Sequence, residues 1–544
     1  MRYPRLLEAA ILAAALTTVA AIVYGPNAIH GGFISDAWTW RAIYELAPGG
    51  DGFLGATDYL LDQPNMRTRP LYAIYFAVLN WAFGPHMGFW LANCVALGVL
   101  MSVSLYVLLR ELALPRLHAG TIAALVLVFP AAGSLRLWTA SPASQLTIAL
   151  AMLGLVAALR AFGSEGRRRM ALHGISLALF AISVLLYEIA LPVLLASVLV
   201  YRLRAPWGTA ARRWLVDCAL LVPLALLALI RSPEDFFQKQ DSGGVWHHAG
   251  LVWDQAVTLL TTVVLPFGSD RWYVVGLIAL IPATAGLVAR RLPTGDPARM
   301  ELRRWLGVVL AGLCVVALGY AVFLPVQDTY SPMGDGVFDR VNAVPSIGWT
   351  LIAYGTIALA ATLAFRGLPR ARDLASGLTV LVCVVLGVGW IHEVRQDADR
   401  YMRAYGESRR VLDVVGGALP DPRPGSTIWT FGQPREIAPG FPVFTNFWEM
   451  TDAVRLTYHD PTMASYVGYA GTTFECGPDE IAPRGHPQYE LAGRIFAGSA
   501  LYVDSFASPY GRTYFVDTKT GRSERIDTPR QCRRASASFP RSPA

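Results

Sequence analysis

The chain has 544 residues, of which 54% are hydrophobic and 16% charged, with a mean hydropathy of +0.41. Soluble proteins carry about 25% charged residues, so these values exclude an ordinary soluble globule and indicate a multi-pass membrane protein. The net charge of +7 does not argue for a nucleic-acid partner, because the basic residues, nearly all Arg, sit in short loops between apolar runs, as the positive-inside rule requires.

The first apolar run, 6–24, follows Arg2 and Arg5. Gly25, Pro26, Asn27 and Ala28 make a poor signal cleavage site, so this run is expected to stay as a first helix leaving the cytoplasm. Residues 25–86 then form the first outer loop. Within it, 37–46 carries Trp38, Trp40 and Tyr44 and is expected to be a short interfacial helix, since aromatic rings favour headgroup depth. The stretch 69–84, RPLYAIYFAVLNWAFG, decides the topology. If it spans, every later Arg cluster falls outside; if it lies on the outer surface, every cluster falls inside. The second option satisfies the charge rule throughout, and 69–84 is read as a juxtamembrane helix.

The remaining runs then alternate. The runs 87–109, 118–134, 143–161, 170–187, 189–203 and 214–230 are expected to span, with cytoplasmic turns at Arg110 and Arg116, at Arg160 and Arg167 to Arg169, and at Arg202, Arg204, Arg212 and Arg213. A second surface helix is expected at 250–267. The runs 272–289, 305–324, 344–365 and 374–391 follow, with inner clusters at Arg290, Arg291, Arg299, Arg303 and Arg304 and at Arg366, Arg370 and Arg372. The total is about eleven spans of about 20 residues each. The N-terminus lies in the cytoplasm and the C-terminus outside the plasma (inner) membrane.

From His392 onward Pro, Gly, Asp and Arg become frequent and apolar runs end. Residues 1–391 thus make a transmembrane domain and 392–544 an extracytoplasmic α/β or β-rich domain. Strands are expected at 426–431, 441–444 and 513–517, and no order is expected over 533–544. Cys94, Cys218, Cys314 and Cys383 lie in apolar runs as small hydrophobes. Cys476 and Cys532 lie in the tail and can form a disulfide if it is outside the cytoplasm. The tail aromatics Trp429, Phe447, Trp448 and Tyr458 fit either a glycan-binding surface or the tail's own core.

Several polar residues stand out by position. Asp36, in HGGFISDAW, follows the first helix on the outer side, where a carboxylate can act as a general base or be an ordinary loop acid. Glu188 follows Tyr187 inside an apolar stretch, where a carboxylate is costly unless it faces protein or water; a tight outer turn is the plainer explanation. Arg340 lies in YSPMGDGVFDRVNAVP, and its guanidinium fork suits phosphate oxygens or lipid headgroups reached by snorkelling. Arg67 and Arg69 are outward-facing against the charge rule, and phosphate binding would account for them. Arg41, Arg271 and the pair His247 and His248 are weaker candidates. No metal-ligand spacing is visible, so the cofactor is unknown and a divalent cation stays open.

In this order, Asp36 after the first helix, the Arg69-Pro70-Leu71 opening of a surface helix, Tyr187-Glu188 and the late outer loop with Arg340 resemble the GT-C superfamily of integral membrane glycosyltransferases. The resemblance covers residues 1–391. It implies a polyprenyl-phosphate-linked sugar as donor and a glycan, lipid or protein hydroxyl as acceptor. It makes Asp36 the catalytic base, Arg340, Arg69 and Arg67 the lipid-phosphate ligands, and Tyr187 and Glu188 supporting residues. Asp36 is followed by Ala37 where many members carry a second acid. Asp58 and Asp62 lie further along the loop, with nothing to tie them to the site. A lipid-linked oligosaccharide flippase is the main alternative. Transporters place charges deep in several spans and carry repeats; here no repeat is visible and only Asp217 lies near a span centre. An envelope-polymer ligase or polymerase, and a non-catalytic scaffold, are the other readings.

Overall fold

The computed structural model describes residues 3–47, 52–231, 244–261, 271–324, 332–333, 335–486, 489 and 506–542. In chain order, α1 (Tyr3–His30) is followed by α2 (Asp36–Glu45), α3 (Gly52–Asp62), α4 (Pro64–Arg67) and α5 (Pro70–Phe83). Then come α6 (Met87–Glu111), α7 (Arg116–Leu127), α8 (Ser134–Leu137), α9 (Pro142–Phe162) and α10 (Gly166–Leu186). They are succeeded by α11 (Leu191–Leu195), α12 (Ser197–Arg202), α13 (Trp207–Arg231), α14 (Gly244–Leu259) and α15 (Arg271–Arg291). The long helices α16 (Pro297–Ala321), α17 (Pro345–Phe365) and α18 (Ala371–Ala418) complete the apolar part.

Seven helices among the described residues are long and apolar enough to cross a membrane: α1, α6, α9, α10, α16, α17 and α18. The chain is a multi-pass membrane protein. The expected runs 214–230 and 272–289 fall inside α13 and α15. Two other expected spans are not continuous helices. The run 118–134 stops at Leu127, because Pro130 follows and holds Phe129 extended, at φ −64° and ψ 119°. Twelve residues reach only about 18 Å, short of the ~30 Å hydrocarbon. The run 189–203 breaks into a 3₁₀ turn at Glu188–Ala190 and the short helices α11 and α12. Helix α5 has 14 residues, or about 21 Å, which suits a helix that does not span. The second expected surface helix begins earlier, as α14; residues 262–267 of that expectation lie outside the described residues.

Packing divides the chain into two compact units. One comprises Met1–Pro26, Ala92–Leu137 and Ser141–Ala398; the other comprises Asn27–Leu91, Trp138–Ala140 and Asp399–Ala544. Residues 27–91 therefore share a unit with the C-terminal residues, from which a linear cut after 391 would separate them.

In the first unit the most enclosed spans are α9 and α17, each with 72% of its apolar window buried, against 28% for α10. Glycines let α16 and α17 approach closely, as small residues do between membrane helices. A Cβ on Gly348 would lie 2.6 Å from the carbonyl oxygen of Gly312, and one on Gly312 would lie 2.7 Å from that of Gly348. Asp217, on α13, is fully buried. It pairs with Arg213 at 2.9 Å and accepts from the Tyr201 hydroxyl at 2.7 Å, while Arg213 also donates to Ser176.

The second unit contains a four-stranded sheet, order β2-β1-β6-β7. Strand β1 (Thr427–Phe431) runs parallel to β2 (Ala464–Val467) and to β6 (Thr513–Asp517); β7 (Ser523–Ile526) pairs antiparallel with β6. All five β1 residues are buried, as expected for a central parallel strand covered on both faces. Helix α19 (Phe447–Tyr458) makes the crossover from β1 to β2. A smaller antiparallel sheet joins β3 (Thr473–Cys476), β4 (Glu480–Arg484) and β5 (Ser508–Pro509).

Three expectations about this region change. The helix that should end at 391 runs on to Ala418, because Val394, Ala398, Tyr401, Ala404, Ser408, Val411 and Val415 recur at helical spacing and are buried. Residues 441–444 form no strand beyond an isolated bridge from Pro442 to Glu436. Residues 533–538, expected to lack order, belong to α20 (Pro529–Ser538), capped by the Thr528 side chain. A Cys476–Cys532 disulfide ties α20 to β3.

Candidate active site

The HGGFISD segment leaves α1 through a narrow passage. A side chain on Gly32 would collide with the Tyr405 ring, so glycine is required there. Phe33 then packs edge-on against Trp38 and Trp90 at 5.8 and 5.6 Å, and the Trp138 indole donates to the Ile34 carbonyl at 3.0 Å. Ser35 follows with φ +51° and ψ −136°. A non-glycine residue in that region is strained, and surrounding contacts must hold it there. One of them is specific: the Ser35 hydroxyl donates to Glu449 Oε1 at 2.8 Å.

Asp36 opens α2, and a carboxylate in the first turn interacts favourably with the helix dipole. It is half-buried, and its Oδ1 accepts from the Trp448 indole nitrogen at 3.1 Å. Trp448 and Glu449 are in the first turn of α19. That turn is built by a capping box: the Asn446 side chain accepts from the backbone N–H of Glu449, and the Glu449 carboxylate accepts from that of Asn446. Glu449 also accepts from the Thr445 backbone at 2.7 Å and from the Asn446 side-chain amide at 2.8 Å.

The electrostatics follow from burial and like charge. Glu449 is fully buried, and burial, with the Asp36 charge adding to it, pushes its carboxyl up to about 7 against the lowering of its hydrogen bonds. Asp452, one helical turn on, is also buried. Its carboxyl rises to about 6 through burial, with Arg455 opposing and Asp36 adding. Arg455 pairs with Asp452 at 3.4 Å. Asp36 thus acts on two buried carboxyl groups, Glu449 and Asp452, inside one unit. Such a cluster can hold an oriented carboxylate at the surface and a protonated acid beneath it at neutral pH. Among the described residues, no group of three or more His, Cys, Asp or Glu side chains is arranged to hold a metal ion.

The other sequence candidates fall as follows. Arg67 is exposed at the end of α4, and Arg69 is half-buried as the N-cap of α5, both in the unit that holds Asp36. Arg41 is committed to structure, donating to Asn80 Oδ1 at 2.9 Å and pairing with Glu45. Asp58 and Asp62 are exposed on α3.

Arg340, Tyr187 and Glu188 belong to the other unit. Arg340 is half-buried in a 3₁₀ segment, Gly336–Asn342, whose neighbours are pinned. Asn342 donates to the Ala131 and Pro332 carbonyls and accepts from Tyr320, and Asp339 accepts from the Ser134 backbone at 3.1 Å. Burial lifts the Asp339 carboxyl to about 8, opposed by Ser134 and reinforced by Asp397. Tyr187 is extended at the C-cap of α10, and Glu188 is half-buried at the start of the 3₁₀ turn. His248 is buried with Nδ1 3.2 Å from the Leu324 carbonyl oxygen, and His247 is exposed. The side chain of Arg271 lies outside the described residues.

The tail aromatics are largely core. Trp429 and Phe447 are buried, and the Tyr458 hydroxyl donates to the Leu419 carbonyl at 2.6 Å. Trp448 is the exception, turned to Asp36. Sequence reasoning missed Ser35, Glu449 and Asp452. One available signal was Asn446-x-x-Glu449, a helix-start pattern, though it says nothing of Asp36.

No protein-family model matches the chain, and no curated protein sequence matches it. Among solved structures it is similar to ArnT from Cupriavidus metallidurans, seen in a crystal structure bound to undecaprenyl phosphate. Identity is 14%, 83% of this chain and 85% of that one are covered, and the TM-score is 0.35.

Proposed function

We propose that this chain is a membrane glycosyltransferase that moves a sugar from a polyprenyl-phosphate-linked donor to an acceptor hydroxyl outside the cytoplasm. The observation that supports it best is Asp36: a half-buried carboxylate that opens a helix, held by an indole N–H, in a multi-pass membrane protein. In this reading Asp36 takes the proton from the acceptor hydroxyl as that oxygen attacks the anomeric carbon. The bond from that carbon to the lipid phosphate breaks, and its electron pair leaves with the phosphate. One displacement with one base inverts the configuration. A charged leaving group asks mainly for an oriented base and cationic stabilisation. By the resemblance drawn above, Arg340, Arg69 and Arg67 bind the lipid phosphate, with Tyr187 and Glu188 in support.

The test uses full-length protein in nanodiscs with a panel of polyprenyl-phosphate monosaccharides and envelope material from the source cells as acceptor. Transfer by the wild type with inversion is expected, and Asp36→Asn should lower the rate by about 10²–10⁴, the range of a general base. Full activity in Asp36→Asn, or retention of configuration, refutes the reading. Orientation is tested by labelling Lys519→Cys in intact cells with a membrane-impermeant maleimide; protection from label refutes an outward C-terminal part.

A further inference from the structure

We infer that Trp448 is a positioning residue for Asp36, and that Glu449 holds the strained Ser35 from which Asp36 is presented. This inference rests on the proposed role of Asp36 and extends it to residues more than 400 positions away, within one compact unit.

The geometry gives each group a separate task. Among the described residues, the Trp448 indole is the one hydrogen-bond donor to the Asp36 side chain, and it engages Oδ1. A carboxylate with one oxygen so engaged has its plane and direction set, which leaves Oδ2 as the atom to receive a proton. The indole is itself fixed, because its ring packs edge-on against Phe447 at 5.0 Å. Phe447 lies in the buried core with Tyr466 and Phe506. Glu449, the residue after Trp448, acts on Ser35, the residue before Asp36. Its Oε1 takes the Ser35 hydroxyl, and its Oε2 takes the Thr445 and Asn446 backbone N–H groups. The positive φ of Ser35 turns the chain into α2, so a group that holds Ser35 also sets where Asp36 starts. The other charged and titratable groups around this cluster include Asp452 and Arg455 on α19, Arg41 and Glu45 on α2, His459 beside Glu45, Tyr59 on α3, which feels both Arg455 and Asp452, and Tyr469, which feels Glu449.

Two readouts test the positioning role. The first needs no substrate. In full-length protein labelled with ¹⁵N-tryptophan, the Trp448 indole signal is assigned by its loss in Trp448→Phe. It should move in Asp36→Asn, which changes the acceptor of the indole N–H. The second uses the transfer assay described above. Trp448→Phe keeps an aromatic ring and removes the donor. It should lower kcat about tenfold with KM unchanged. Trp448→Gln, which keeps an N–H donor, should recover part of the rate. Added to Asp36→Asn, Trp448→Phe should cost nothing further. An Asp36→Asn variant that loses transfer while Trp448→Phe keeps the wild-type kcat overturns the positioning role alone. An active Asp36→Asn variant, or a wild type that transfers nothing, removes the role of Asp36 and this inference with it.

Discussion

Glu449→Gln should make the second unit more stable at pH 8 than the wild type, and no more stable at pH 4.5. The Glu449 carboxyl moves from an ordinary 4.5 to about 7 on folding, chiefly through burial and then through the Asp36 charge. Because the folded value is the higher one, the neutral acid is what the fold accommodates. Its contribution is fully present below pH 4.5 and is lost as pH rises through about 7. At 1.36 kcal/mol per tenfold change in proton affinity, the wild type gives up about 3 kcal/mol across that window. Glutamine is neutral at every pH and can complete the capping box in place of Glu. Its replacement of a bond from Ser35 is also tolerable, since a hydroxyl can turn to accept.

The measurement is urea unfolding of full-length protein in nanodiscs at several pH values, read by proteolysis of the C-terminal unit. Asp452 titrates in an overlapping range, with its carboxyl at about 6, so the quantity of interest is the difference between wild type and Glu449→Gln. That difference should grow by about 3 kcal/mol from pH 4.5 to pH 8. Asp36→Asn should shrink the growth, because it removes the second contributor to the Glu449 shift. A difference that stays flat with pH refutes the account of a buried acid coupled to Asp36.

Asp217→Ala should destabilise the first unit by about 3–5 kcal/mol, because it strands the buried Arg213 without its ion-pair partner. Detergent unfolding of that variant within 1 kcal/mol of wild type, on the order of an exposed pair's worth, would contradict this. Gly348→Ala puts a Cβ against the backbone of Gly312 and Val316, and a cost of about 1–3 kcal/mol is expected; an unchanged melting temperature would show that α16 and α17 separate freely. Cys476→Ser combined with Cys532→Ser opens a loop of 56 residues, for which chain entropy predicts a loss of about 4 kcal/mol. Equal urea midpoints with and without reductant would count against it.

Legibility in the sequence followed the range of the physics. Hydrophobic length and Arg placement are local signals, so α1, α6, α9, α10, α16, α17 and α18 coincide with expected runs. Where a run was apolar but interrupted, composition alone misled. Pro130 ends α7 early, and the 189–203 stretch folds as short pieces. Both look continuous to a hydropathy window, which registers apolar side chains and ignores the backbone angles that proline imposes. The persistence of α18 to Ala418 was legible in principle, since its apolar spacing stays helical, but the rise in polar residues after His392 reads as the start of a new domain.

The site divides the same way. Asp36 stood out in the sequence by its position just after the first helix. Its partners did not, because Trp448 and Glu449 meet it across 412 and 414 positions, and no spacing rule reaches that far. The α19 turn that presents them is itself local, since Asn446 and Glu449 build it between themselves. Each half of the site therefore folds for its own reasons. Helix α2 begins at Asp36 and α19 begins at Phe447, and the strained Ser35 is the one element that only makes sense when both are present. Strain there is tolerable only if the surrounding contacts fix it, and Glu449 supplies such a contact from the C-terminal part. A truncation that removes α19 should thus leave the acid in the chain and take away the groups that aim it.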